Sequence, residues 1–572
     1  MNLSRQFYFV LAMSESPIPW VDGITLGEML RRTAERVPDC DALVFPQQQY
    51  RRTYAEFNAD VDRLARGLLG LGICRGDHVA VWATNWPQWV LLQFATARIG
   101  AVLVTVNPAY RPFELAYVLQ QSDATALFLI DRFRTSDYFA MAAEAIPQLA
   151  ASVPGQLQAP EFPRLKRVVS MQAPAAPGMQ HWDDVLAAGD GVSSKALGKR
   201  AATLSCRDAV NIQYTSGTTG FPKGAMLTHR NLLMNAYYIG ECQKLDERDR
   251  ICIPVPFYHC FGCVLGVLCA AIRGSAMIVP SEHFQPEATL NAIEQERATA
   301  IYGVPTMFIA ELDHPSFAGR DLTSLRTGIM AGSPCPIEIM QRVVNDMGAR
   351  EITIAYGLTE ASPVVTQTRT DDPLELRVKT VGRALPGVEV KLLDPLTGLE
   401  AADEHPGELC VRGHGVMLGY YKMPRETADA IDAEGWLHTG DLAVRQPNGY
   451  YRITGRIKDM VCRGGENIYP REIEEFLYTH PAVQDVSVVG VPDPKYVEEL
   501  CAWIRLKPGA TATEDEIRQY CRSRLAHYKV PRYVRFVSEF PQTVTGKIQK
   551  FKIREQAIID LGLQAVAAIE TA

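Results

Sequence analysis

Apolar residues along this chain change their spacing from stretch to stretch, and the spacing predicts the elements. Thr53, Tyr54, Ala55 and Glu56 have the form of a capping box, and Phe57, Val61, Leu64, Leu68 and Leu71 follow at helical intervals until Gly72. His78 to Ala83 reads as a short apolar strand, Trp86 to Ile99 as a helix, and Val102 to Val106 and Leu127 to Ile130 as further strands. Residues 151 to 200 are rich in Ala, Pro, Gly and Gln and read as a poorly specified connection. The alternation then resumes, with strands at Ile251 to Val255, Ala276 to Val279, Ala300 to Val304 and Ile352 to Ala355, and helices at Glu287 to Arg297 and Pro336 to Met347. Strand and helix in turn imply a parallel sheet with helices on both faces, and two such α/β layers are expected although no sequence repeat is detectable.

From about Val388 the signals shorten into strands separated by Gly and Pro turns: Val388 to Leu393, Glu408 to Arg412 and Tyr450 to Thr454. A small β subdomain over about 380–455 is the expectation. Helix Arg471 to Tyr478, strands Val483 to Val489 and Cys501 to Leu506, and helix Glu514 to Leu525 then make a separate α+β unit. The expected organisation is a disordered extension over 1–24, a large domain over 25–455 and a C-terminal domain over 456–572.

Composition narrows the partners. With 572 residues and 47% hydrophobic content the chain holds several domains, at about 100 to 200 residues each. A net charge of -7 favours no nucleic acid. Thirteen scattered cysteines without framework spacing point to reduced thiols and a cytoplasmic location. Cys260 and Cys263 form a lone CxxC in an apolar stretch and read as small core residues. The apolar run Phe7 to Met13 is marginal for a signal core, and Phe261 to Ile272 falls short of the roughly 20 residues a membrane span requires.

The chemistry centres on Thr215, Ser216, Gly217, Thr218, Thr219, Gly220, Phe221, Pro222, Lys223 and Gly224, after a strand in which Val210, Ile212 and Tyr214 alternate with polar residues as on a half-buried strand. Glycines at 217, 220 and 224 let main-chain N–H groups approach phosphate oxygens, hydroxyls add donors, and Lys223 opposes negative charge. A Walker A loop needs Gly before its lysine and Ser or Thr after it, whereas Pro222 and Gly224 flank Lys223. A surface linker has a similar composition. The ordered string TSGTTGFPKG resembles the signature of the adenylate-forming superfamily, which includes acyl-CoA synthetases, luciferases and peptide-synthetase adenylation domains.

Tyr356, Gly357, Leu358, Thr359 and Glu360 close a strand, where ligands of such sheets gather. By residue type Glu360 can hold Mg²⁺, Thr359 can bond phosphate and Tyr356 can stack on a base, and the tract resembles the family's second signature. The resemblance sets Gly332, Ser333 and Pro334 against adenine, gives Asp441 of Thr439-Gly440-Asp441 the ribose hydroxyls, and places Arg456 beside it. It also makes Lys547, in Thr545-Gly546-Lys547, the bridge between carboxylate and α-phosphate, with a hinge at Lys458 and with Gly464, Gly465 and Glu466 facing a pantetheine channel. The implied fold is α/β: two doubly wound α/β subdomains with a small β subdomain, followed by a small mobile α+β C-terminal domain.

Amino-acid-selecting members of that family place an Asp in the block equivalent to Phe257, Tyr258, His259, Cys260, Phe261 and Gly262, and this chain has none there. An apolar acid fits better, with His259 near the mouth of its pocket or satisfied structurally, and with Tyr302, Gly303, Val304, Pro305, Thr306 and Phe308 as candidate walls. Tracts such as RGGENIYPREIE, HPAVQDVSVVGVPD and TGKIQKFKIREQ resemble fatty acyl-CoA synthetases of the medium-chain type, and the likeness runs from about Thr25 to Gln556. It implies an acid–thiol ligase of fatty acid metabolism that uses ATP, Mg²⁺ and coenzyme A, with no nucleic acid and no membrane span, and it leaves a homodimer open. Adenylation followed by transfer to a carrier protein or an amine is the alternative.

Overall fold

The computed structural model describes residues 18–172, 174–215, 222–333, 335–395, 397–464, 466–543 and 548–567. Two large sheets carry the first two thirds of it. In the nine-stranded sheet Glu351–Gly357, Thr327–Ala331, Ala300–Gly303, Arg250–Cys252, Ala276–Ile278 and Asp41–Phe45 run parallel in that order. Antiparallel strands flank it, Val364–Gln367 and Arg383–Ala384 on one edge and Tyr50–Thr53 on the other. In the eight-stranded sheet Ala209–Thr215, Val102–Val106, His78–Trp82, Ala124–Leu129, Arg167–Ser170 and Gln180–His181 are parallel, and Lys223–Thr228 and Gly419–Tyr420 close the other edge antiparallel.

One contiguous core joins the facing surfaces of the two sheets through helices Leu26–Arg36, Tyr54–Gly70, Pro87–Ile99 and His229–Cys242. A second core lies on the outer face of the nine-stranded sheet, where Cys252, Ile301, Met330 and Ile352 meet helices Pro286–Gln295, Pro305–Leu312 and Ile337–Asn345. That sheet is therefore wound on both faces, as the alternation of strand and helix requires.

Local sequence explains the elements. At the start of Tyr54–Gly70 the Glu56 N–H donates to Thr53 Oγ1 at 3.3 Å, and the Thr53 N–H donates to Glu56 Oε2 at 2.9 Å. Phe57, Val61, Leu64 and Leu68 are wholly buried, and Gly72 ends the turn at φ +81°. The apolar stretch after Cys260 forms a π-helix, Phe261–Leu268, buried along its length. Cys260 and Cys263 are buried and unpaired by disulfide, and Cys263 Sγ accepts from Gln213 Nε2 at 3.2 Å.

Several expectations need correction. Residues 151–200 are not a bare connection, since they hold strand Arg167–Ser170 and helices Trp182–Ala187 and Ser194–Ala201, which bury Val168, Val169, Trp182, Val185 and Leu197. Strand Arg250–Cys252 is shorter than expected. Strand Ala209–Thr215 is not half-buried: Asn211 and Gln213 are as enclosed as Val210 and Ile212, because hydrogen bonds to Leu103 O and between the two amides satisfy them. Within the expected extension, Val21 is wholly buried and Asp22 pairs with Arg230 at 2.7 Å, so packing begins ahead of Thr25.

Strands Val388–Leu393, Pro406–Gly413, Leu437–Arg445 and Tyr451–Arg456 form a four-stranded antiparallel sheet. After it come Val461–Arg463, Glu466–Ile468, Val483–Asp493, Val497–Leu506 and Tyr533–Phe536, with helices Pro470–Leu477 and Glu514–Arg522 on a core of their own. Among the described residues no helix is long and apolar enough to cross a membrane. Removing the cap with Thr53→Ala is expected to cost about 1 kcal/mol. Amide hydrogen exchange in the first turn of Tyr54–Gly70 checks it: protection there falls while Val102–Val106 keeps its own.

Candidate active site

Strands Ala209–Thr215 and Lys223–Thr228 are antiparallel partners with Thr215 opposite Lys223, so the glycine- and threonine-rich loop joins the tips of a hairpin. Ser216, Gly217, Thr218, Thr219, Gly220 and Phe221 lie outside the described residues. Thr215 Oγ1 stands 3.4 Å from the Lys223 carbonyl. Gly224 is closely packed, since a Cβ there would come within 2.7 Å of Ile212 Cγ2 and 3.3 Å of the Tyr214 ring. Lys223 Nζ lies over the Tyr420 ring, 4.8 Å from its centroid, and the Tyr420 hydroxyl donates to Glu360 Oε1 at 2.7 Å. Burial, with the Glu360 carboxylate adding to it, pushes the Tyr420 phenol far up.

Glu360 reaches that position because the chain turns sharply after strand Glu351–Gly357. Gly357 is required there: an added Cβ would stand 1.8 Å from the Pro363 carbonyl oxygen, which itself accepts from the Leu358 N–H at 2.9 Å. Thr359–Ala361 then makes one 3-10 turn, and the Glu360 carbonyl accepts from the Met417 N–H at 2.9 Å.

One strand position earlier, the Tyr356 hydroxyl donates to Asp441 Oδ2 at 2.8 Å. Asp441 Oδ1 accepts from Arg456 Nε at 2.7 Å, and the two residues are cross-strand partners in the small sheet. Asp441 is 5% exposed and Arg456 40%, so the carboxylate is enclosed and the guanidinium reaches solvent. The Asp441 charge holds the Arg456 guanidinium above its ordinary value, and desolvation pushes the Tyr356 phenol far up even though the residue keeps some exposure.

The bulge that carries Asp441 is held from beneath. Gly440, at φ +69°, donates its N–H to Glu408 Oε1 at 3.0 Å, while Glu408 Oε2 lies 2.9 Å from His438 Nδ1 and Cys410 Sγ lies 3.5 Å from the same nitrogen. Thr439 bonds to the Leu409 carbonyl and accepts from the Asp441 N–H.

Elsewhere, Cys260 Sγ stands 3.7 Å from both His259 Nδ1 and Thr359 Oγ1, joining the block around His259 to the turn that carries Glu360. His259 Nδ1 accepts from the Phe261 N–H at 3.1 Å. Gly332, at φ +87°, ends strand Thr327–Ala331 with Val304 Cγ1 3.1 Å from where its Cβ would stand, and Ser333 follows; Pro334 lies outside the described residues. Tyr302 and Phe308 are wholly buried on opposite faces of the nine-stranded sheet, with Tyr302 bonded to Gln243 Nε2, so they serve the two cores rather than line one pocket. Gly464, at φ +60°, donates to the Tyr496 carbonyl; Gly465 and Lys547 lie outside the described residues. Tyr420, Glu408 and Cys260 escaped the sequence reading as site residues. The single usable signal was the clustering of Gly419, Tyr420 and Tyr421 before Pro424, which marks a short aromatic edge strand.

The sequence profile of the AMP-binding enzyme family matches residues 30–421, and that of the AMP-binding enzyme C-terminal domain matches residues 472–547. A Bacillus subtilis protein named putative acyl-CoA synthetase YngI is 54% identical over 534 residues, 93% of this chain and 97% of that one. The mitochondrial medium-chain acyl-CoA ligase ACSF2 of Bos taurus is 44% identical over 537 residues, 93% of this chain and 87% of its own. Among solved structures, the anthranilate CoA ligase AuaEII in complex with anthranoyl-AMP superposes with a TM-score of 0.84 at 26% identity, covering 94% of this chain and 98% of that one. The amide bond synthetase McbA of Marinactinospora thermotolerans does so with a TM-score of 0.79 at 28% identity, covering 93% and 99%.

Gly357→Ala is expected to cost about 1–3 kcal/mol, the range for forcing an atom into a packed position. Calorimetry of the purified protein reads it as a lower melting temperature, and Gly435→Ala, where a Cβ would meet open space at a left-handed turn, serves as the comparison and should cost less.

Proposed function

This chain belongs to the AMP-binding enzyme family, and from that membership we propose that it is an AMP-forming acid–coenzyme A ligase acting on fatty or other apolar carboxylic acids. The observation that carries the reading is the convergence of distant motifs: strand Glu351–Gly357 brings Tyr356 onto Asp441 and Arg456 and, beyond one turn, Glu360 onto the Tyr420–Lys223 pair. Sites for sugar and for phosphate thus open from one strand end.

Hydroxide is a poor leaving group from a carboxylic acid and AMP a good one, so the reaction divides in two. Carboxylate attacks the α-phosphorus of ATP to give acyl-adenylate and pyrophosphate, and the coenzyme A thiol then displaces AMP. Asp441 accepts from the ribose hydroxyls, with Arg456 fixing its second oxygen. Residues 215–223 supply hydroxyls, glycine N–H groups and the Lys223 ammonium to the triphosphate, Thr359 donates to phosphate, and Gly332, Ser333 and Pro334 border adenine. Glu360 offers the hard carboxylate oxygen that suits Mg²⁺, a cation that would draw charge from the departing pyrophosphate.

Lys547 bridges the attacking carboxylate and the α-phosphate. Two unit charges at 4 Å cost up to about 4 kcal/mol at intermediate dielectric, and a positioned cation offsets a comparable amount. Its place is needed by the thiol in the second step. A C-terminal domain over 456–572, turning at Lys458 away from the large domain over 25–455, meets both demands and brings Gly464 and Gly465 to the pantetheine channel. The unpaired cysteines suit a reducing compartment such as the cytoplasm, although the vertebrate relatives are named as mitochondrial. The likeness to an amide bond synthetase supports one alternative, transfer of the acyl group to an amine.

Exchange of labelled pyrophosphate into ATP, screened over acids from acetate to palmitate with branched and aryl acids included, tests the first step. Exchange is expected with apolar acids, and none with any acid would sink the proposal. Product formation that depends on coenzyme A separates thioester from amide synthesis. Lys547→Ala is expected to slow adenylation by about 10²- to 10³-fold, the size of one lost transition-state donor. Turnover of supplied acyl-adenylate by coenzyme A should survive that substitution, and the opposite pattern would remove the lysine from its role.

A further inference from the structure

The phosphate-side residues hold a physical problem that the motifs do not address. Lys223 must keep its charge for phosphate and Glu360 must keep its charge for the cation, yet Lys223 opens strand Lys223–Thr228 and Glu360 sits on the turn Thr359–Ala361 packed against that strand, where a lysine and a glutamate would ordinarily pair. Among the described residues no ion pair within 4.0 Å joins them, and Tyr420 stands where the pair would form. Its ring face carries the ammonium at 4.8 Å, and its hydroxyl engages one carboxylate oxygen at 2.7 Å.

Resting on the proposed ligase reading, we infer that Tyr420 is a positioning residue: it spaces Lys223 from Glu360 and orients the Glu360 carboxylate toward the metal of the nucleotide complex. The ring is fixed for this purpose on every side. Gly419–Tyr420 is a short strand paired with Lys223–Thr228, with Ala225 opposite Tyr420. The Tyr421 N–H donates to the Gly224 carbonyl at 2.8 Å, and the Leu418 N–H donates to the Met226 carbonyl at 2.9 Å. The Tyr420 N–H donates to Thr427 Oγ1 at 2.9 Å, and the side chain is buried. The same strand pairing that places the tyrosine also places Lys223, so ring and cation move as one body.

The hydrogen bond from the phenol occupies Glu360 Oε1 and leaves the second carboxylate oxygen unclaimed by Tyr420. Outer partners of this kind orient a metal-bound carboxylate, and their loss lowers metal affinity by about 10- to 100-fold. A cation on an aromatic face stays charged and keeps its N–H donors available, unlike one consumed in a salt bridge. The tyrosine therefore favours two opposite charges side by side without letting them neutralise each other.

The test compares wild type, Tyr420→Phe and Tyr420→Ala by equilibrium binding of a non-hydrolysable ATP analogue, with Mg²⁺ and with EDTA, and by electron paramagnetic resonance of Mn²⁺ bound with that analogue. Tyr420→Phe keeps the spacer and loses the hydroxyl, so the affinity gained from Mg²⁺ should fall about tenfold while affinity in EDTA stays near wild type. Tyr420→Ala opens the path between Lys223 and Glu360, so affinity in EDTA should fall as well. Circular dichroism and melting confirm that each variant is folded, and Tyr420→Phe carries the decision if Tyr420→Ala is not. Wild-type behaviour of Tyr420→Phe in both the Mg²⁺ and Mn²⁺ measurements overturns the inference alone. A wild-type protein that binds the analogue no better with Mg²⁺ than without it overturns the ligase reading, and this inference with it.

Discussion

Everything at this site depends on a carboxylate shared between two sheets. Asp441 sits on an antiparallel sheet of four strands, Tyr356 on the last parallel strand of a sheet of nine, and their hydrogen bond at 2.8 Å ties the two sheets together. With its second oxygen on Arg456, Asp441 is enclosed yet fully engaged. A buried charge costs several kcal/mol unless it is paired and hydrogen-bonded, so the junction holds only while all three groups are present. The same three groups join strand Glu351–Gly357 to the small sheet, so assembling the large domain and bringing these side chains together are one event.

The supports around that junction use backbone more than side chains. Glu408 accepts from the Gly440 N–H, Pro363 accepts from the Leu358 N–H, and Glu360 offers its carbonyl to Met417. Backbone partners of this kind place a loop without drawing on the side chains at 441 and 360, whose own partners are Tyr356, Arg456 and Tyr420. Gly357 and Gly440 follow from this. The first tolerates a carbonyl where a Cβ would otherwise stand, and the second adopts a left-handed turn that brings its N–H down onto Glu408.

Much of this was legible in sequence, unevenly and for physical reasons. Periodicity located helix Tyr54–Gly70 because Phe57, Val61, Leu64 and Leu68 all face one core, and the capping box marked its start. Family membership was legible because the short motifs have a composition of their own. Asn211 and Gln213 misled the reading because polar residues signal solvent unless their amides find partners inside, as these do. Residues 151–200 misled it because Ala and Pro mask short elements whose apolar positions are few. Tyr420 and Glu408 went unread because their roles come from contacts across 60 and 32 residues of chain, and nothing in their own neighbourhood announces them.

The place where the chain leaves the small sheet fits the demands of a two-step reaction. Arg456 is the last residue of strand Tyr451–Arg456 and is tied to Asp441 by register and by ion pair, so it is held with the small sheet. Ile457–Asp459 makes a single 3-10 turn immediately after it, and the next strand, Val461–Arg463, already belongs to the separate C-terminal core. Rotation about the backbone of that turn would reorient everything downstream and leave the Asp441–Arg456 pair untouched, because that pair precedes the turn at Ile457–Asp459. A hinge set further upstream would disturb Asp441. One set beyond Val461 would have to break into the packing of the C-terminal core, so the turn at 457–459 is where motion costs least.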